Sequence, residues 1–333
     1  MSDKKPNDIL RSNIIPFKRA EAAYEIFMED GTIEHSVFQH SALCQTYFPY
    51  RSLKKDQDYW KREQGKVVLS VQAMKVENPT TGKTEILGIP YGPKIRLIMA
   101  FINTEIIRSK GKTTTIEVED SMTRFIKNNL GLNTDGRTIR AVKEQLSRLA
   151  TCMIAISFVD KETAKLDRRQ GTIIDGFDLW FPKDEKQRVL WTSHFEVSER
   201  YAQSLVEHAV PLDMRAVAAL ANNAMALDIY AWLAQRAHRV DRRKPAFIHW
   251  QGLYEQFGFG YGRIRDFRKV FLENLKIVHH VYRDLKVELV DRKSGQPAGI
   301  YLFNSPPPIR HKMHLPSHFG TKQQQTGSSG KDE

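Results

Sequence analysis

Through much of the chain, apolar residues return every three or four positions, the spacing of a helix with one buried face. From Pro93 the series Ile95, Ile98, Met99, Ile102 and Ile106 predicts a helix that ends around Ser109-Lys110-Gly111. A short β-branched run, Thr113-Thr114-Thr115-Ile116-Glu117-Val118, predicts a strand. A second helix is expected from Ser121 to Leu130, then a turn at Gly131 and Asp135-Gly136. A third, from Arg137 to Thr151, carries Ile139, Val142, Leu146 and Leu149 on one face. Met153–Val159 and Thr172–Phe181 then read as two apolar strands of a hairpin joined by a charged loop.

The same order returns about 130 residues later, one unit duplicated rather than a solenoid. Leu212–Val240 predicts one or two helices through Val217, Leu220, Leu227, Tyr230 and Leu233. Phe247–Trp250 is a short strand, Gln251–Phe257 a helix, and Gly258–Gly262 a glycine turn. Arg263–Val278 is the next helix, and Leu285–Val290 with Gly299–Phe303 a hairpin closed through Ser294-Gly295. Helix, strand, helix, turn, helix and hairpin is the order of a winged helix-turn-helix, whose helix after the turn can enter a major groove about 12 Å wide. The expected fold is α+β, with two tandem winged helix-turn-helix domains and flexible N- and C-terminal tails. The expected boundaries are a partly disordered N-terminal arm over 1–60, the first domain over 61–190 and the second over 191–304. Pro306-Pro307-Pro308 supplies no amide donors and opens a tail over 305–333 that has little to bury.

Composition narrows the class. The chain has 333 residues, 41% hydrophobic and 27% charged, which excludes wholesale disorder, collagen and coiled-coil fibres. Charge interrupts every apolar run before the roughly 18 residues that a membrane helix needs, and the first residues do not read as a secretory signal. Cys44 and Cys152 alone make neither a disulfide framework nor a zinc site. The expectation is a soluble, cytoplasmic protein with no membrane partner. Against 39 acidic residues stand 51 Lys and Arg, a net charge of +12. Such a surplus gathers polyanions, nucleic acid first and anionic membrane second.

Where the cations fall matters more than their number. Stepping 100° per residue, Arg265, Lys269 and Lys276 lie opposite the apolar side of 263–278, Ile264, Phe267, Val270, Phe271, Leu275 and Val278, with Arg268 on the flank. In 137–151, Arg137, Glu144 and Arg148 point outward with Arg140 beside them. Cations at a helix N-terminus oppose its dipole, so Arg137, Arg263 and Arg265 are poorly placed unless an anion stands in front of them. Either face alone is equally an ordinary solvated one; two together point to duplex DNA. Arg265, Lys269, Arg137, Arg140 and Glu144 are candidates to read base edges. Lys161, Lys165, Arg168 and Arg169 at the tip of the first hairpin, and Arg292 and Lys293 at the second, are candidates for phosphate. Arg242, Arg243 and Lys244, between helix and strand, join them, and Tyr261 in the glycine turn completes the DNA-binding set.

Other chemistry finds little support. Gly82-Lys83-Thr84 and Gly111-Lys112-Thr113 have Glu77 and Ile106 where a phosphate loop needs glycine. Gly258, Gly260 and Gly262 follow a predicted helix, not the strand of a dinucleotide fingerprint. His279-His280 and His311…His314 lack companions at a metal spacing, and no His-apolar-His triplet of a nicking enzyme occurs. Trp180, Trp191, Trp232 and Trp250 sit among apolar neighbours and are expected in cores rather than stacked on bases. The expectation is a protein that is not an enzyme and has no cofactor and no metal.

The ordered series of residues is also familiar as a whole. Ile89-Pro90-Tyr91-Gly92-Pro93-Lys94-Ile95-Arg96, Ser121–Ile126 with Leu130-Gly131-Leu132, Gln145–Leu149, Val210–Asp213, Leu227–Ala234, Ile248–Gly258, then Tyr261, Phe267, Phe271, Leu275 and Tyr282, and the ending Leu302–Pro308, together resemble the plasmid-encoded RepA-type replication initiators. These are tandem winged-helix proteins related in plan to TrfA-like initiators. The resemblance runs over about Leu87 to Pro308 and departs at Arg283, where the family has proline after the tyrosine. It implies binding to repeated sites in double-stranded plasmid origin DNA, opening of adjacent AT-rich DNA, and recruitment of host initiator and replicative helicase. Dimerisation and repression of its own gene are further implications. A winged-helix repressor without origin opening is the alternative.

Overall fold

The computed structural model describes residues 17–78, 81–117, 124–129, 133–160, 165–167, 173–180, 191–290 and 298–310. Two stretches share one plan. In the first, α2 (Gly92–Arg108) leads to β6 (Thr115–Glu117), a π-helical turn at Phe125–Asn129, α3 (Gly136–Ala150), β9 (Ile174–Trp180) and β10 (Trp191–Val197). In the second, α6 (Ala224–Arg236) leads to β12 (Ala246–His249), α7 (Trp250–Phe257), α8 (Ile264–Val281), β13 (Val287–Val290) and β14 (Gly299–Leu302). Both sheets are antiparallel and have the same order: β6-β10-β9 and β12-β14-β13, with the last strand in the middle. The chain therefore carries one α+β arrangement twice.

Local chemistry accounts for the helix ends. Pro93 stands in the first turn of α2, where a missing amide donor costs nothing. Asp135 caps α3 by accepting from the Thr138 amide at 2.7 Å. Asn223 does the same for α6 with the Ala226 amide at 3.1 Å. The α8 face of Phe267, Phe271, Leu275 and Val278 is fully buried, and Val142, Leu146 and Leu149 of α3 are buried likewise. Ile139 is only half-buried and Ile264 is exposed, because the first turns of both helices overhang the core.

Around these units lie elements that the sequence pattern does not reveal. β2 (Tyr59–Gln64), β3 (Val67–Ala73), β7 (Cys152–Asp160) and β8 (Lys165–Asp167) form a separate sheet in that order. This overturns the expected hairpin of 153–159 with 172–181. β7 pairs with β3, Val67 opposite Phe158 and Val71 opposite Ile154, while β9 turns to β10. The physical reason is that β3 offers an apolar partner remote in sequence, and strand periodicity carries no information about which strand pairs with which. A small ladder of β4 (Lys75–Glu77) and β5 (Thr84–Ile86) follows β3.

The expected N-terminal arm over 1–60 also needs correcting. α1 (Phe17–Met28) packs against α5 (Met214–Leu220) and α8. Every residue of β1 (Ser36–His40) is buried, and β1 pairs with β11 (Ala209–Asp213), Val37 opposite Leu212. Ala42, Leu43, Tyr47 and Phe48 follow it into the core. Nor does the first unit end at 190, since β10 belongs to its sheet and α4 (Glu199–His208) packs on α2. At the other end Ser305 and Ile309 are buried, and Ile309 bridges Gly31, so 305–309 belongs to the packed body. Residues 1–16 and 311–333 lie outside the described residues.

The two units share one continuous apolar core. Trp232 and Trp250 are buried within it, as expected, and so is Trp60; the side chains of Trp180 and Trp191 are outside the described set.

Candidate nucleic-acid interface

The cations singled out on α3 divide. Arg137 and Arg140 are exposed, as is Glu144. Bonds from the Thr138 amide and hydroxyl, with a smaller contribution from Arg137, hold the Asp135 carboxyl below the usual carboxylate range. The N-terminus of α3 is thus an exposed turn with a capping anion and two exposed arginines. Arg148 is different. It is half-buried, pairs with Glu144 at 3.0 Å, donates to the Ile89 carbonyl at 3.4 Å, and lies over the Tyr91 ring at 5.1 Å. On a helical wheel it shares the side of Arg137, but further along the helix the segment before α2 crosses that face and takes it up.

α8 presents the fuller set. Arg263 is its N-cap residue and bonds Asp266 in the first turn at 2.8 Å. That carboxylate offsets the conflict with the helix dipole that the sequence implies. The Arg265 side chain is 83% exposed, with Asp266 no nearer than 3.9 Å. Lys269 is exposed, Lys276 half-buried, and Arg268 lies over the Trp250 ring at 5.0 Å. Tyr261 is half-buried, packs its ring on Phe267, and accepts the Tyr254 hydroxyl at its carbonyl. Burial raises its phenol, with Arg51 pulling the other way and Glu273 adding to the rise. Arg242, Arg243 and Lys244 are exposed before β12, where the Arg243 amide donates to Asp241 at 2.7 Å.

The hairpin candidates are redistributed. Lys165 opens β8 opposite Asp160, in the extra sheet rather than on the β9–β10 hairpin. In the first unit the paired strands β9 and β10 flank residues 181–190 instead. Lys161, Arg168, Arg169, Arg292 and Lys293 lie outside the described residues, as does 181–190.

Residues 89–251 match the family described as plasmid encoded RepA protein. Residues 89–251, just under half of the chain, carry the domain of this replication initiator family. The matched span runs from the residues before α2 into α7, so α8 and its hairpin lie beyond it. Two crystal structures of domains 2 and 3 of RctB are similar to the chain at 10% identity, with TM-scores of 0.48 and 0.47. Each comparison covers 79% of this chain and 96% of the other. No curated protein matches.

Two residues of the chain escape a sequence reading centred on its helices. Arg62 of β2 donates through Nη2 to the carbonyls of Glu255 at 2.5 Å and Gln256 at 2.7 Å, at the C-terminus of α7. It lies over Tyr47 at 4.8 Å and over Phe259 at 5.9 Å, while Trp60 meets Phe259 edge-on. The turn before α8 is therefore held from the β2–β3 hairpin. Arg51 adds its charge near Tyr261. The signal that points to this hairpin is the β-branched, apolar run Val67-Val68-Leu69 with Val71, just after the turn residue Gly65. Among the described residues no helix is long and apolar enough to cross a membrane, and no group of three or more acidic, His or Cys side chains is placed to hold a metal. Cys44 and Cys152 are buried and free, and burial pushes the Cys152 thiol up to about 12.

Proposed function

We propose that the chain initiates plasmid replication, without covalent chemistry of its own, by gripping repeated origin sequences through two winged helix-turn-helix units. The observation that carries this reading is the doubled arrangement of a strand-first, strand-last sheet in which the helix before the hairpin opens with exposed cations, Arg137 and Arg140 on α3, Arg263 and Arg265 on α8. α3 and α8 enter successive major grooves, Arg265, Lys269, Arg137, Arg140 and Glu144 meeting base edges and the exposed run Arg242-Arg243-Lys244 meeting phosphate. The hairpin tips reach phosphate or the minor groove. Several copies on adjacent repeats bend the origin, at a cost on the order of several kcal/mol per sharp bend that many phosphate contacts offset. The bend opens the neighbouring AT-rich segment for host initiator and helicase, and a homodimer on an inverted site represses the gene.

The test is a titration of the full chain against an origin repeat and a scrambled duplex at physiological salt. Preference for the repeat supports the reading, and equal affinity overturns it. Permanganate footprinting with host factors present then reads strand opening: reactive thymines beside the repeats are expected, and their absence reduces the function to repression.

A further inference from the structure

Between the β2–β3 hairpin and the second unit lies a cleft of about 400 Å³, within the size range of small-molecule sites. Gln45 and the β2–β3 turn at Gln64 line it from one side, and Gln235, Arg236, Arg239 and Gln256 from the other. Its lining contains no carboxylate. Arg236 is half-buried and has neither a hydrogen bond nor an ion pair among the described residues; its one contact of note is the Trp232 ring at 5.9 Å. Burial, and then the charge of Arg239, lowers its affinity for its own proton, the mark of a cation short of a counter-ion. Arg239 spends Nε on the Gln235 carbonyl at 2.8 Å, which leaves both Nη groups without a protein acceptor among the described residues.

Two arginines in the last turns of a helix can serve only its dipole. That account leaves the amides unexplained. Gln235 is 6% exposed, and its side-chain amide has no partner among the described residues. Gln256 is 4% exposed and spends its amide nitrogen on the Gln45 carbonyl at 3.1 Å, so its side-chain oxygen remains to accept. Gly65, at φ +57° with nothing within 4 Å of where a Cβ would stand, keeps the mouth clear. Guanidinium forks match phosphate oxygens, while amides that both donate and accept match the edge of a nucleobase.

We propose that this cleft binds a free nucleotide, its phosphates on Arg236 and Arg239 and its base edge on the glutamine amides. The buried position of Gln235 and Gln256 favours a small ligand over the backbone of a duplex. The ligand would touch the β2–β3 hairpin and the second unit at once and so stabilise their joint. No phosphate loop is present in the sequence, and the proposal is for binding, not hydrolysis.

Equilibrium dialysis of the full chain against ATP, adenosine and orthophosphate, without added metal, tests it. ATP is expected to bind roughly tenfold or more tightly than either fragment, and R236Q and R239Q each to weaken ATP by roughly tenfold or more. R108Q, which removes an equal charge from an exposed arginine at the end of α2, is expected to leave ATP binding unchanged. R239Q, at an exposed position, keeps the test available if R236Q fails to fold. Absence of ATP binding at millimolar concentration, equal loss in R108Q, or orthophosphate binding as tightly as ATP would each overturn the proposal. DNA affinity plays no part in these readouts, so the fate of the initiator reading is decided separately.

Discussion

Arg96 grips Asp228 with two parallel hydrogen bonds, Nε to Oδ1 at 2.8 Å and Nη2 to Oδ2 at 2.6 Å, joining α2 of the first unit to α6 of the second. Both side chains are buried. The remaining Arg96 donors go to the Gly92 carbonyl at 2.7 Å and the Phe48 carbonyl at 2.7 Å, so one guanidinium ties together α2, α6 and the segment after β1. Burial, opposed by the Arg96 charge, leaves the Asp228 carboxyl above its ordinary range. Removing one member of such a pair strands the other charge away from water. D228A or R96A is expected to cost about 3–5 kcal/mol of unfolding free energy in urea. The double replacement by Leu and Met is expected to cost clearly less than the sum of the two single changes. Additive losses would show that the two groups do not act as a pair.

Arg148 and Lys269 test whether a cation's place on a helix face tells its role. R148A removes the bond to Glu144 and the packing on Tyr91, and is expected to destabilise the fold by about 1–3 kcal/mol while leaving the salt dependence of DNA binding unchanged. K269A is expected to leave stability within about 0.5 kcal/mol and, because a cation at a base edge also neutralises the flanking phosphates, to lower the salt slope by about one. R265A is expected to cost about 1–3 kcal/mol of specific binding and to relax preference at one base pair. Anisotropy titrations over a salt series read all three. A normal slope for K269A with unchanged affinity for R265A would mean that α8 does not face the DNA.

What the sequence discloses, and what it hides, follows from the range of each interaction. Helices α3 and α8 are legible because Val142–Leu149 and Phe267–Val278 each bury one face at helical spacing, a property of neighbours along the chain, whereas α2 and α6 are buried on nearly every side and show as long apolar stretches. The β13–β14 hairpin is legible because its strands are close in sequence. The pairing of β3 with β7 and of β1 with β11 is not, since their partners lie far away and periodicity is silent about them. Placing Lys165 on the first unit's hairpin fails for that reason. Arg148 is misjudged for another, because a helical wheel shows which residues share a side and not what crosses it. Arg62 escapes notice because its partners are backbone carbonyls at Glu255 and Gln256, which leave no mark in composition.

Arg62 makes the joint between the β2–β3 hairpin and the second unit a target of its own. R62A loses two charge-assisted bonds to the end of α7 and the stacking over Tyr47, and is expected to cost about 2–4 kcal/mol. R62K keeps the charge but not the planar fork, and is expected to recover less than half of the loss. Phe259 is 46% exposed and meets Trp60 edge-on, so F259A should cost only about 1 kcal/mol. Urea midpoints at constant slope measure each change, and an R62A protein as stable as the unaltered chain would remove Arg62 from the joint.

The last expectation concerns pH. His40, 1% exposed in β1, accepts the Ala42 amide at Nδ1 over 3.1 Å, which places its proton on Nε2, facing the Ser204 hydroxyl at 3.1 Å. Tyr201 stacks on the ring at 5.5 Å and His208 lies edge-on at 6.1 Å. Burial, with the nearby His208 adding to it, lowers the imidazole from its ordinary value of 6.5 to about 4. A proton on Nδ1 would in addition break the Ala42 bond. The unfolded chain therefore takes up this proton first as pH falls. The stabilisation from neutral His40 is complete above about pH 6.5 and drains away between there and pH 4, amounting to about 2–3 kcal/mol by pH 4.5. In H40Q, which keeps a polar side chain but cannot titrate, the difference in unfolding free energy between pH 7 and pH 4.5 should shrink by about that amount. An undiminished difference would place the acid sensitivity in other groups.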